Sequence, residues 1–185
     1  MKKLFTLAAL SACGLLFSQE NDDDAALKPH TISVHANYSD PSQLGLTYEA
    51  PDFITGESDS STIINLSYGS MNYDADVFDI DGTGFVLEFG SRSYYNKSNT
   101  RQGFYSANYL TYGNIKFDED DFEGNYSYFS FFSPEIGYKI FLGDFSIDPS
   151  IGAMWKIEIK GSGDVDNRYT DEWAVRAGIR IGYSF

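Results

Sequence analysis

Read backwards from Phe185, every second residue is apolar: Phe185, Tyr183, Ile181, Ile179, Ala177, Val175 and Trp173. Between them stand Ser184, Gly182, Arg180, Gly178, Arg176 and Ala174. Side chains alternate faces along a strand, so this segment predicts a β-strand with one apolar wall and one wall bearing two arginines. The same period of two recurs upstream and predicts eight strands, at approximately 30–38, 44–50, 62–73, 84–95, 103–117, 126–141, 145–160 and 173–185. No segment shows helical periodicity.

The seventh segment is the most regular after the last. Phe145, Ile147, Pro149, Ile151, Ala153, Trp155, Ile157 and Ile159 share one face, and Asp148, Lys156, Glu158 and Lys160 fall on the other. In the fourth, Phe85, Leu87 and Phe89 oppose Glu88 and Arg92; in the sixth, Ile136, Tyr138 and Ile140 oppose Glu135, Gly137 and Lys139. The first two place Ile32, Val34, Ala36 and Tyr38 against His35, and Leu44, Leu46 and Tyr48 against Glu49. The third and fifth are less regular, with Ser70 and Thr111 on the nominally apolar side. Pro134 and Pro149 each predict a bulge, because proline cannot donate to a ladder. Leu142-Gly143-Asp144 reads as a tight turn, whereas 161–172, 118–125 and 74–82 read as polar loops at the opposite end, together with the brief 39–43 connection. The 51–61 connection is long for a turn at the end bearing Phe185.

Composition agrees with pleated structure. The 185 residues suit one domain, and 17% are aromatic, with 14 Tyr, 15 Phe and 17 Gly. Beyond the N-terminus there is no run of about 18 apolar residues, so no membrane-spanning helix is readable, although strands that alternate could still span a bilayer. Lys2 and Lys3 followed by the apolar stretch 4–17 predict a secretory leader covering 1–18, then an acidic linker over 19–29 containing Asn21-Asp22-Asp23-Asp24. The alternative is a lipoprotein-type site, Leu10-Ser11-Ala12-Cys13, with Cys13 lipidated. Simple cleavage leaves no cysteine for disulfides. Loss of Lys2 and Lys3 takes the net charge from −14 to −16, leaving 11 basic against 27 acidic residues. So acidic a chain is a poor match to nucleic acid.

Eight strands close around an interior just wide enough for side chains or one small ligand. A wall carrying Trp155, Trp173, Phe145, Tyr183, Phe185 and many isoleucines is too bulky for such a cavity, which points it outward. The interior then receives Glu49, Glu88, Glu135, Asp148 and Glu158 with Arg92, Lys139, Lys156, Lys160, Arg176 and Arg180, while Lys116 sits near a rim. Acids and bases nearly balance there, and buried charges persist when paired. This predicts an interior packed with ion pairs and closed to solutes.

The leader, the eight segments and the terminal Ile181-Gly182-Tyr183-Ser184-Phe185 resemble the small outer-membrane β-barrel family, of the OmpA transmembrane-domain and OmpX type. The resemblance implies an all-β fold, an eight-stranded antiparallel up-and-down transmembrane β-barrel over 30–185, in the outer membrane of a Gram-negative bacterium. It implies a monomer whose partners are outer-membrane lipid and the assembly machinery that reads the terminal strand. Trp155, Trp173, Tyr183 and Phe185 would be the membrane anchors and assembly signal. Functions in the family range through envelope integrity, adhesion, small channels and a few lipid-modifying enzymes, and the fold does not choose among them.

Candidate chemistry is sparse. His30 and His35 are the two histidines. His35 with Ser33 on the inner wall could form a base–nucleophile pair of the lipid A-modifying kind, but the first strand starts far from the outer leaflet, so an interior hydrogen-bonding histidine is the favoured reading. Asp74, Asp76, Asp79 and Asp81 gather carboxylates that suit Ca²⁺, as do the acids of 118–123 and Asp164 with Asp166, yet the spacing matches no EF-hand and a charge run is usually solvated. No cofactor is assigned. Gly90, Gly137, Gly152, Gly178 and Gly182 would thin the inner wall and keep a narrow porin-like channel as the alternative to a structural or surface-interaction role.

Overall fold

The computed structural model describes residues 29–54, 56–75, 78–95, 101–119, 122–166 and 169–185. The expected leader, Cys13 and most of the acidic linker lie outside them. The strands are β1 (Thr31–Tyr38), β2 (Ser42–Pro51), β3 (Ser60–Ala75), β4 (Phe78–Tyr94), β5 (Gly103–Glu119), β6 (Phe122–Phe132), β7 (Pro134–Leu142), β8 (Phe145–Gly163) and β9 (Trp173–Ser184). Sequential neighbours pair antiparallel from β1 to β5. Both β6 and β7 pair with β5 on one side and β8 on the other, β8 pairs with β9, and β9 returns to β1. Among the described residues every strand therefore has a neighbour on both sides, and the sheet closes into a barrel of eight strand positions.

Cross-strand partners climb as they are followed around the ring. The path Ile32, Tyr48, Ile64, Phe89, Leu110 starts where β1 begins, and on the far side it reaches Trp155 and Trp173, where β9 begins. This is the stagger of tilted strands that barrel closure requires. We call the end where β1 begins and β9 finishes basal, and the other end distal.

Alternation decides which wall faces in. Ile32, Val34, Leu44, Leu46, Leu66, Leu87, Leu110, Ile151, Val175 and Ile181 are exposed on the outside, while the residues that alternate with them are half-buried or buried inside. β5 departs from the expected pattern. Its fuller face, with Tyr105, Tyr109, Thr111, Ile115 and Phe117, points inward. Register explains this, because Leu110 and Tyr112 lie opposite the outward Phe89 and Leu87. Both faces of β5 carry aromatics, so its own sequence does not tell inside from outside.

Three further expectations are corrected. The sixth segment is not one strand but β6 and β7, interrupted at Ser133. Asn108 patches the gap: its Oδ1 accepts from the Ser133 amide at 2.9 Å and its Nδ2 donates to the Phe131 carbonyl at 3.2 Å. Pro134 does stand at this irregularity, but Pro149 marks no bulge: β8 runs in unbroken register with β9 from Phe145 to Trp155, and its ladder with β7, broken at Asp148 and Pro149, keeps one register on both sides of the break. Finally, the 74–82 and 118–125 segments are mostly strand, not loop. Pairing continues to Ala75↔Phe78 and Glu119↔Phe122, so the distal hairpins are tall. At the basal end Gly143-Asp144 is a tight turn, with Gly143 at φ 66, a conformation glycine adopts without strain.

A filled barrel interior as the candidate functional site

The inside of the barrel is built in two tiers. The lower tier centres on Arg92, which is fully buried. Its Nη1 donates to Asp148 Oδ2 at 2.9 Å and lies 3.5 Å from Glu49 Oε2, and its Nη2 is 3.9 Å from Glu135 Oε1. Lys139 Nζ reaches Glu49 Oε2 at 2.7 Å and Thr31 Oγ1 at 3.2 Å. Arg180 grips Glu135 with both terminal nitrogens, at 2.9 and 3.1 Å, and Arg176 grips Glu88 likewise, at 2.9 and 3.0 Å. Such two-pronged guanidinium–carboxylate pairs fix geometry as well as charge. Tyrosine hydroxyls take up the remaining acceptors: Tyr94 on Glu49 at 2.6 Å, Tyr105 on Asp148 at 2.5 Å and Tyr109 on Glu135 at 3.0 Å.

A side-chain relay joins this tier to the wall. Asn65 Nδ2 and Thr111 Oγ1 donate to Glu88, at 2.8 and 3.2 Å, and Thr47 Oγ1 donates to Asn65 Oδ1 at 2.7 Å. With its one proton committed, Thr47 accepts from His35 Nδ1 at 2.8 Å, so in the neutral ring Nε2 accepts a hydrogen bond from the Ser67 hydroxyl, also at 2.8 Å. His35 and Ser67 stand at the separation of a base and a nucleophile, but both are buried in the wall, and Ser33 is not the partner. The relay ends on a carboxylate already held by Arg176.

The upper tier is apolar. Met71, Tyr73, Ile80, Ile115, Phe117, Phe122, Tyr126, Tyr128, Met154 and Ala174 form one buried cluster. The β8–β9 connection folds over it. Val165 packs on the cluster, Tyr73 OH donates to the Asp166 carbonyl at 3.2 Å, and the Tyr169 ring meets Tyr73 edge-on at 6.0 Å. At the distal end of β1, Lys156 is held by Asp40 at 2.6 Å.

The glycines do not open the interior. Gly90, Gly113 and Gly137 lie directly opposite Tyr109, Tyr128 and Tyr105, and those rings occupy the space a side chain would take. A Cβ on Gly113 would come within 2.7 Å of the Tyr128 hydroxyl, and one on Gly90 within 2.6 Å of the Tyr109 ring. At the basal mouth, Pro29, Thr31, Glu49, Arg101, Lys139 and Phe141 line a dimple of about 10 Å³, room for roughly one water.

The sequence-derived residues fall into distinct places. Glu49, Glu88, Arg92, Glu135, Lys139, Asp148, Arg176 and Arg180 meet in the lower tier, and Lys156 sits above them with Asp40. Glu158 faces inward opposite Tyr128 but joins none of these ion pairs. Lys160 is on the outside, contrary to the alternation reading. The pairing with β6 slips between Ser127 and Tyr128, leaving Ile159 as an extra residue on β8, so the exposed Lys160 lies opposite Ser127, between the inward Tyr126 and Tyr128, and not opposite either tyrosine. One inserted residue inverts the parity of everything beyond it. Lys116 is likewise outside, paired with Asp118.

Trp155 and Trp173 belong to a distal aromatic girdle, with Phe131 on Trp155 at 5.6 Å and Trp155 on Trp173 at 6.4 Å. Tyr183 and Phe185 belong to a basal one, Tyr183 against Phe145 at 5.5 Å and Phe185 against His30 at 5.8 Å. Phe185 is also tied by its backbone, its amide donating to the His30 carbonyl at 2.9 Å. Asp74 and Asp81 lie on the outside of the β3–β4 hairpin; Asp76 and the Asp79 side chain fall outside the described set. Among the described residues no three metal-ligating side chains converge. Sequence reasoning missed Asp40, the three lower tyrosines and the aromatic upper tier, of which it placed only Met154 and Ala174 on the inner wall.

No family model matches the chain, and no curated protein matches it significantly. Among solved structures, the N-terminal β-barrel domain of Pseudomonas aeruginosa OprF aligns over 85% of this chain and 98% of its own, at 16% identity and a TM-score of 0.49. A major outer membrane protein from Thermus thermophilus aligns over 84% of this chain and 99% of its own, at 13% identity and a TM-score of 0.51. At 13% identity the second of these speaks to architecture alone, and that architecture agrees with the closed ring of strands described above. Like that outer membrane protein, the chain has the fold of an outer-membrane β-barrel.

Proposed function

We propose that the protein is a monomeric integral outer-membrane barrel with a structural or surface-interaction role and an interior closed to solutes. The observation that carries this reading is the inversion of a soluble protein's pattern. The outward wall is a band of aliphatic side chains between two aromatic girdles, and the inward wall holds the buried charges. Water would not tolerate that band over an entire barrel surface, whereas hydrocarbon would. Among the described residues the ring has no open edge, which meets the second demand of a lipid environment, that every strand pair.

In this reading the basal end faces the periplasm and the distal end faces out. The distal strands and connection carry Asp74, Asp81, Asp118, Glu119, Glu123, Asp164, Asp171 and Glu172, an acidic surface suited to cationic or cation-bridged partners. The terminal strand and Phe185 would be read by the assembly machinery. We assign no catalytic role to His35, because the ring and Ser67 are sealed in the wall. A channel is disfavoured by the two filled tiers. The test is membrane fractionation combined with gel migration before and after boiling. An outer-membrane pellet with heat-modifiable migration supports the reading, and a protein that stays soluble without detergent sinks it.

A further inference from the structure

The start of the connection between β2 and β3, Asp52 to Ile54, lies against the outer, apolar wall. The Asp52 amide donates to the Ser60 carbonyl at 3.3 Å, closing its neck. The Asp52 carboxylate accepts from Thr62 Oγ1 and from the Ile54 amide, both at 3.0 Å. Thr62 belongs to the outward-facing set of β3, opposite Ala50, yet it is only 1% exposed because the connection covers it. Phe53 reaches across β3 to Phe89, an outward residue of β4, with ring centroids 6.3 Å apart. Even so, Phe53 is 67% and Ile54 52% exposed.

Two adjacent bulky apolar side chains, laid along an apolar wall and more than half exposed, with the one buried carboxylate of the connection holding the Ile54 amide and the Thr62 hydroxyl, suit an apolar surrounding better than water. We propose that this connection is an interfacial anchor, which seats Phe53 and Ile54 at the acyl–headgroup boundary of the leaflet nearest the basal end. The proposal rests on the outer-membrane reading. Lipid is the occupant because Phe53 touches Phe89, a member of the lipid-facing band, so the anchor continues a surface that lipid already covers. Asp52 lets the chain enter that zone by satisfying the Ile54 amide and the Thr62 hydroxyl, which would otherwise lack partners there.

The test uses the purified protein folded into phosphatidylcholine vesicles brominated either near the headgroup or deep in the chains. Phe53→Trp is placed in a Trp155→Phe/Trp173→Phe background, with Ile54→Trp as the second position should the first fail to fold. The expected result is a blue-shifted emission that loses most of its intensity to the shallow bromines and less to the deep ones. A water-like, unquenched emission overturns the anchor. A blue-shifted emission that bromine does not touch also overturns it, placing the ring against a second copy of the chain. The wild-type protein separates the two readings. If Trp155 and Trp173 are quenched while the residue 53 probe is not, the anchor fails and the membrane barrel stands; if neither is quenched, both fail.

Discussion

The Arg92 guanidinium lies 3.8 Å from the centre of the Tyr105 ring, and both residues converge on one carboxylate, Asp148, at 2.9 and 2.5 Å. Strands β4, β5 and β8 are thereby tied together through the middle of the barrel. Arg92 also lies within ion-pair distance of Glu49 and Glu135, so it is the common counter-charge of three buried acids.

Removing that counter-charge leaves buried carboxylates uncompensated, a change that typically costs about 3–5 kcal/mol. Arg92→Met is expected to lose stability on that scale in urea unfolding from vesicles. Lys160→Gln, on the exposed outer face, is expected to stay within about 0.5 kcal/mol of wild type. Equal effects from the two substitutions would contradict the assignment of Arg92 to the interior.

The glycine–tyrosine pairs make a second prediction. Gly90 and Gly113 give the Tyr109 and Tyr128 rings their seats, so a methyl group there displaces a ring inside a closed interior. Gly90→Ala and Gly113→Ala are each expected to destabilise by about 1–3 kcal/mol, the usual cost of overpacking. Tyr128→Ala combined with Gly113→Ala should recover part of the loss, measured as a double-mutant cycle; strict additivity would show that ring and glycine do not share the space.

The slip at Ile159 predicts a labelling pattern. Among the described lysines, Lys116 and Lys160 face outward, whereas Lys139 and Lys156 are buried. A short pulse of amine-reactive reagent on the detergent-solubilised barrel, read by peptide mass spectrometry, should modify the first two and spare the others. Protection of Lys160 would place it inside and remove the bulge.

These particulars show what the sequence makes legible. Where one face is apolar and the other polar, as in β1, β2, β8 up to Glu158, and β9, alternation assigns walls correctly. It fails at Lys160, because a bulge is a property of two strands in register and leaves no mark in either alone. It fails on β5, whose two faces are both aromatic, and only the pairing of Leu110 with Phe89 decides between them. The tall distal hairpins escaped notice because acidic residues on the outside of strands look like loop residues. Most of the upper tier was invisible for a different reason, since its tyrosines and phenylalanines read as membrane-facing. Asp40, the partner of Lys156, lies in a connection that carries no pattern.

The central claim is that two filled tiers close the interior from end to end, ions below and aromatics above. Planar-bilayer recording of the purified, heat-modifiable protein tests it most directly. The expected result is insertion without steady unitary conductance, unchanged in Lys139→Ala, which loosens the basal tier and leaves Phe117, Tyr126 and Tyr128 in place. Stable, reproducible conductance steps from the wild-type protein would contradict a closed barrel.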